Sequence, residues 1–314
     1  MRVPCPAAIT TTFNTMLPTT LPRARSRSSI IAALSLAFCV LAAGCSLLKI
    51  GYGQASPLAF RWLDGYVDFD DAQSLRVRTA LGEAMNWHRR TQLPDYVDLL
   101  VRAESEITGD VTPERMCAWG RELKGRADTI VQYALPTIVE VALTLSPAQI
   151  ANIEKRQAKT NAEYRDEHLQ RDREKRRRAA VKREVERAET LYGDLDDAQH
   201  ELVVRSVAAS PYDAEASYAE RLARQQDAIA MIRRWREAGI GREEALAQAR
   251  SWVQRLDRSP REHYRAYAER LADHNCSFAS VLHNATSPAQ RREAVKKLKG
   301  YEGDLRSLIG DASS

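Results

Sequence analysis

Leu145-Ser146-Pro147-Ala148-Gln149 encodes the start of a helix. The Ser146 hydroxyl can accept an orphan backbone N–H. Pro147 sits where a missing N–H costs nothing. Gln149 can reach back to the N–H of the cap residue and close a capping box. The pattern returns as Phe69-Asp70-Asp71-Ala72-Gln73, Val111-Thr112-Pro113-Glu114-Arg115, Leu195-Asp196-Asp197-Ala198-Gln199 and Thr286-Ser287-Pro288-Ala289-Gln290, with a related start at Ser259-Pro260-Arg261-Glu262. The spacings are unequal, so the pattern marks a series of helices rather than a solenoid of fixed period.

Apolar residues follow these starts at helical spacing. Val77, Leu81, Ala84 and His88 form one stripe, and Leu93, Val97, Leu100 and Ile107 the next. A long stripe runs through Met116, Trp119, Leu123, Ala127, Ile130, Ala134, Ile138 and Ala142, with Pro136 expected to kink or divide its helix. Tyr218 to Ile232, Leu246 to Leu256, Tyr264 to Val281 and Ala294 to Leu308 continue the series, and no segment alternates with period two. The expectation is an all-α fold of antiparallel helices, as a bundle or hairpins. It divides into an N-terminal helical part (58–145), a long charged helix (146–192) and a C-terminal helical part (193–314).

The middle segment is distinct. Between Glu154 and Glu189 stand 13 basic and 9 acidic residues, and no apolar side chain larger than Ala lies between Leu169 and Val181. Glu167/Arg171, Asp172/Arg176 and Glu174/Arg178 place the acid four residues before the base, the favourable order on a helix. This predicts a solvated helical arm. Lys175-Arg176-Arg177-Arg178 could grip a polyanion, but the neighbouring acids make a solvated face the better account.

The formal charge of the whole chain, +5, also suggests a polyanion binder. However, Arg2, Arg23, Arg25 and Arg27 precede Cys45 and no acid does; without them 43 basic residues face 42 acidic ones. A neutral chain has no electrostatic footprint for nucleic acid, and no nucleic-acid partner is expected.

Those arginines belong to an address. Pro22–Ser28 is a basic stretch, and Ser29–Gly44 is an uncharged run shorter than the roughly 20 residues a membrane-spanning helix needs. Positive flank, short apolar core and small residues at its end describe a signal peptide covering residues 1–44. Met16 is an alternative start that would shorten it to 29 residues. The segment ends Leu41-Ala42-Ala43-Gly44-Cys45, which resembles the lipobox of bacterial lipoproteins. The resemblance implies cleavage between Gly44 and Cys45, acylation of Cys45 (palmitate among the chains), and membrane attachment through that residue. Ser46, where a retained protein would carry Asp, implies the periplasmic face of the outer membrane. Residues 45–57 are expected to form the lipidated Cys and a short tether, which fully extended would reach roughly 40 Å.

Export changes the reading of the cysteines. With Cys5 and Cys39 removed and Cys45 acylated, Cys117 and Cys276 remain. An oxidising periplasm permits a disulfide between them; two buried free thiols are the simpler alternative. No cysteine spacing suits a metal; His263, His274 and His283 lie loosely along the C-terminal part, and His274-Asn275-Cys276 is expected to be core polar residues rather than ligands. No metal or cofactor is expected.

Trp87-His88-Arg89-Arg90, followed by Thr91-Gln92-Leu93-Pro94, is the densest candidate patch. His88 could act as a general base, Arg89 or Arg90 could hold an anion, and Trp62-Leu63-Asp64-Gly65-Tyr66-Val67-Asp68 could supply a carboxylate. Without a nucleophile, a metal set or a phosphate loop, a structural role at a helix junction is the better account. There Trp packs, His hydrogen-bonds and Arg faces helix-end carbonyls. Leu-Ser-Pro-Ala-Gln at 145–149 is also similar to the Leu-Thr-x-x-Gln motif of small periplasmic stress chaperones, although any helix can begin this way.

In order along the chain, the lipobox at Cys45, Trp62–Asp68, Gln73, Trp87–Pro94, Leu145–Gln149, Leu195–Gln199 and Ser287–Arg291 resemble a family of proteobacterial lipoproteins, domain of unknown function 6279. The resemblance implies an address and an architecture but no mechanism. The expected role is non-enzymatic: binding or scaffolding of an unknown periplasmic protein or envelope component. The alternatives are a chaperone-like envelope-stress protein and a hydrolase-like enzyme using His88.

Overall fold

In the computed structural model, which describes residues 47–170 and 172–310, these starts nucleate successive helices. They are α1 (Leu47–Gly53), α2 (Ala55–Val67), α3 (Asp71–Trp87), α4 (Leu93–Glu106), α5 (Pro113–Thr144) and α6 (Pro147–His168), then α7 (Arg173–Tyr192), α8 (Asp197–Ala209), α9 (Ala214–Ala238), α10 (Arg242–Asp257), α11 (Glu262–Asn284) and α12 (Pro288–Gly310). A π-helical turn, His88–Gln92, joins α3 to α4. The described residues contain no strand, and the fold is all-α. The signal segment 1–44, with Gly44 and the acylation residue Cys45, lies outside the described residues.

Asp70, Ser146 and Asp196 each close a reciprocal capping box with Gln73, Gln149 and Gln199. Ser287 does so with Gln290, through bonds of 2.9 and 3.2 Å. Thr112 caps α5. The related start at Ser259 is displaced: α11 begins at Glu262, and the Ser259 hydroxyl accepts from the Arg261 N–H instead.

The boxes meet in pairs. Gln149 Nε2 donates to Gln73 Oε1 at 2.6 Å and to the Asp68 carbonyl at 2.8 Å. Gln73 Nε2 donates to the Thr144 hydroxyl and carbonyl at 2.9 and 3.3 Å. A second node repeats this chemistry. Gln199 Nε2 donates to Gln290 Oε1 and the Ala285 carbonyl, and Gln290 Nε2 to Gln199 Oε1 and the Asp194 carbonyl, all at 2.8–2.9 Å. In both nodes the accepting carbonyls stand five residues before a glutamine of the pair. Each node lies beside one of two cores. The first comprises Leu135, Val139, Ala142, Leu145 and Ile150 with Ile229, Met231, Trp235, Ala245, Leu246 and Ala249. The second comprises Ile107, Val185, Ala188, Tyr192, Val203, Leu282 and Ala294.

Helix α5 links the two cores. Its C-terminal half enters the first core, and Trp119 near its start packs against the second. Pro136 lies inside α5 without dividing it. Leu135 and Val139 on either side are buried, and their packing holds the helix through the lost hydrogen bond. The predicted stripe along α5 is only partly core. Leu123, Ile130 and Ile138 are 43%, 38% and 54% exposed, because α5 turns Leu135 and Val139 inward with Ala142, the stripe member that is buried as expected.

Two further expectations need correction. Segment 146–192 is two helices, not one. The Asp172 carboxylate, expected to pair with Arg176, caps α7 by accepting from the Lys175 N–H at 3.0 Å. Where no large apolar side chain anchors the chain, a local cap outcompetes helix continuation. Glu174 pairs with Arg178 at 4.0 Å and more closely with Arg177 at 3.0 Å; the Glu167/Arg171 pair involves a residue outside the described set. The tether segment is not a loose linker either, because residues 47–53 and 55–67 are helical.

Cys117 and Cys276 form a disulfide across 159 residues, joining α5 to α11 with Cα atoms 5.3 Å apart. The free-thiol alternative is therefore set aside.

Replacing Gln73 or Gln149 with Ala is expected to cost about 2 kcal/mol, because each leaves buried donors or acceptors unmet. The double variant should cost clearly less than the sum, whereas Gln73→Ala with Gln199→Ala should be additive. Urea unfolding of the four-variant cycles checks both. Replacing both cysteines with Ser should lower stability by up to about 5 kcal/mol, the loop-entropy value for so long a closure, measured as a fall in urea midpoint.

Candidate functional site

The Trp87–Arg90 patch joins the last residue of α3 to the first residues of the π-helical turn, whose wider winding rotates the side chains that follow relative to α3. Trp87 stacks on Tyr133 of α5, with ring centroids 4.0 Å apart and planes within 12°. His88 lies between two tyrosines: Nδ1 is 3.0 Å from Tyr52 Oη of α1 and Nε2 is 3.3 Å from Tyr96 Oη of α4. Tyr52 Oη also reaches the Met85 carbonyl at 3.4 Å. One arrangement of protons satisfies every group. Tyr96 donates to Nε2, the Nδ1–H donates to Tyr52, and Tyr52 donates to Met85.

Burial holds the His88 imidazole below its ordinary pKa, which keeps it neutral and suits it to this chain. Burial likewise raises the Tyr96 phenol and, against the opposing pull of Arg89, the Tyr52 phenol. The Arg89 guanidinium lies 5.4 Å from the centre of the Tyr52 ring, and its Nε is buried without a hydrogen-bond partner. Arg90 is exposed. The arginines do not face the end of a helix, because the chain continues through the π turn into α4. Neither carboxylate of the Trp62–Asp68 segment bonds His88: Asp68 Oδ2 accepts from Asn152 at 3.5 Å, and Asp64 serves its own loop. Its Oδ1 accepts from the Phe69 N–H at 3.1 Å and shapes the turn after α2, where Asp68 takes a left-handed conformation (φ 63°). Both imidazole nitrogens are thus engaged by neutral hydroxyls, and the cluster works as a clasp fastening α1 to α3 and α4.

A second histidine site is hidden in sequence. His283, fully buried on α11, donates from Nε2 to the Gly109 carbonyl at 2.8 Å, so Nδ1 accepts from Tyr192 Oη at 2.9 Å. Burial pushes the Tyr192 phenol up to about 12. Asn284 exchanges two hydrogen bonds with the Val111 backbone, and Ser280 donates to the Val111 carbonyl at 2.6 Å. These side chains tie the loop before α5 to α11. Their only visible signal is a polar run on an otherwise apolar helix face. His274 bonds Ser206 through Nε2, a core polar role as expected. Among the described residues no group of three or more His, Cys, Asp or Glu could hold a metal ion.

A model of a family of unknown function, DUF6279, matches residues 65–265. The chain belongs to this family. The match covers well over half the chain, including the first glutamine node, Trp87–Arg90, the whole of α5 with Cys117 and only the first turn of α11, while Cys276, α1 and α12 lie outside it. No curated protein and no solved structure matches the chain. DUF6279 membership thus gives a shared fold without an assigned chemistry.

Burial lowers the pKa of His88, His168 and His283. The unfolded chain therefore binds more protons than the native one between the depressed native values and about 6.5. Their contribution to stability is complete above pH 6.5 and declines as pH falls below it. His283→Gln should show a smaller loss of melting temperature between pH 7.5 and 5.5 than the parent, as measured by circular dichroism.

Proposed function

We propose that this DUF6279 protein is a lipoprotein attached through Cys45 to the periplasmic face of the outer membrane, and that it acts there by binding or scaffolding rather than by catalysis. The lipobox ending at Gly44-Cys45 carries the address. The Cys117–Cys276 disulfide supports it, since such bonds persist in an oxidising compartment. The non-enzymatic reading is supported by the surroundings of His88: its two ring nitrogens face the phenols of Tyr52 and Tyr96, which burial makes harder to ionise, so the groups around the imidazole build a clasp rather than present a reactive proton. The partner class is an envelope protein or envelope component.

A chaperone-like role is the second reading, and the observation favouring it has moved. The glutamines that resemble a chaperone motif are consumed in the two nodes, whereas Leu123, Ile130 and Ile138 leave an apolar stripe open along α5. Unfolded clients could bind such a stripe.

Cys45→Ala is expected to leave the protein unacylated by mass spectrometry and to shift it from the outer-membrane to the soluble periplasmic fraction. An unchanged distribution would remove the anchor. If the chaperone reading holds, Ile130→Glu and Ile138→Glu together should at least halve suppression of client aggregation, read by light scattering, with the fold intact.

A further inference from the structure

We propose that α1 lies in the headgroup layer of the bilayer with Ile50 directed toward the acyl chains, so that the end of the molecule formed by α1, the π turn and the C-terminal part of α12 faces the membrane. This rests on the lipoprotein reading of Cys45. The first reason is reach. Cys45 stands two residues before Leu47, where α1 begins, so the acylated residue can lie no further than about 7 Å from the helix. Ile50 is three helical residues further, at most about 5 Å along the axis. An acylated Cys is held at the membrane surface, so no placement of the body takes α1 away from it.

The second reason is the way α1 is held. Lys49 donates to Ser307 Oγ of α12 at 2.5 Å, and Tyr52 bonds His88 in the clasp. These residues define the side of α1 fixed to the body. Ile50 lies on the other side, 51% exposed, beside exposed Gly51 and Gly53, which let the helix approach a surface closely; Leu48 at the rim is 37% exposed. Arg89, against Tyr52, and the exposed Arg90 bring positive charge to the same end, which suits anionic lipid headgroups. Because the clasp ties α1 to α3, α4 and α5 together, docking of this short helix orients the whole body. The α3 start, Asp71, seventeen residues from His88 and about 25 Å along the helix, points away from the bilayer.

The test uses the full acylated chain in vesicles of phosphatidylethanolamine and phosphatidylglycerol. With Cys45 acylated and Cys117–Cys276 paired, a cysteine introduced by Ile50→Cys is the thiol that takes a nitroxide. Leu75→Cys on α3, at a 69% exposed position, is the control. The label at position 50 is expected to be several-fold more accessible to oxygen than to a water-soluble nickel chelate, and the label at 75 the reverse. Equal aqueous accessibility at both positions, with acylation of Cys45 present by mass, overturns the docking while leaving the anchor intact. Aqueous accessibility with spin–spin broadening at position 50 assigns this side of α1 to a second copy of the chain and also overturns it. Absence of acyl chains on Cys45 removes the lipoprotein reading and this inference with it.

Discussion

The fold depends on meeting the hydrogen-bonding demand of helix starts that it brings inside. Each helix begins with backbone donors that have no partner within it. At the surface water supplies one; where starts are packed against each other, side chains must. Gln73, Gln149, Gln199 and Gln290 do this with a single amide each. The oxygen turns back to the cap N–H of its own helix, and the nitrogen crosses to a backbone carbonyl at the partner start. Asp or Glu could close the box but has no N–H to send across. The choice of Gln at all four positions follows from this double duty.

The same economy explains the Trp87–Arg90 patch. A cluster of His, Arg and Trp suggests chemistry when seen in sequence, because those side chains also build active sites. Here the π turn rotates them so that Trp87 meets Tyr133 and His88 meets two hydroxyls from separate helices. The partners Tyr52 and Tyr133 stand far from the patch in sequence, and Tyr52 lies in a segment that resembles a loose tether. The clasp became visible only when that segment proved to be a helix.

What was legible in the sequence follows the range of the forces involved. Caps act over three residues, and all four Gln boxes and the Thr112 cap were predictable. Periodicity acts over one helix, and it identified Val77, Leu93, Val97, Leu246, Leu271 and Ala294 as buried. On α5 the same method chose a stripe of which part faces solvent, because a helix contacting two cores is apolar on more than one side and its neighbours decide which side is covered. The Asp172 cap has no distinct signal in sequence, because its carboxylate fits an i,i+4 pair with Arg176 equally well. The partnership of Gln73 with Gln149, of His283 with Gly109 and of Cys117 with Cys276 joins residues brought together only by the complete topology, and no local signal carries it.

The disulfide has a consequence for the order of folding. Chains are made from the N-terminus, so Cys117 emerges long before Cys276, 159 residues later. Gln199 likewise waits for Gln290, and the buried face of α4 waits for α12 at the far end of the chain. The early helices can form singly but cannot be sealed until almost the whole polypeptide is present. Throughout that interval an unpaired thiol and unburied apolar faces are open to other chains. In a protein wired this way the early helices stay unsealed until α11 and α12 have been made, and its yield will depend on whatever shields the half-made chain.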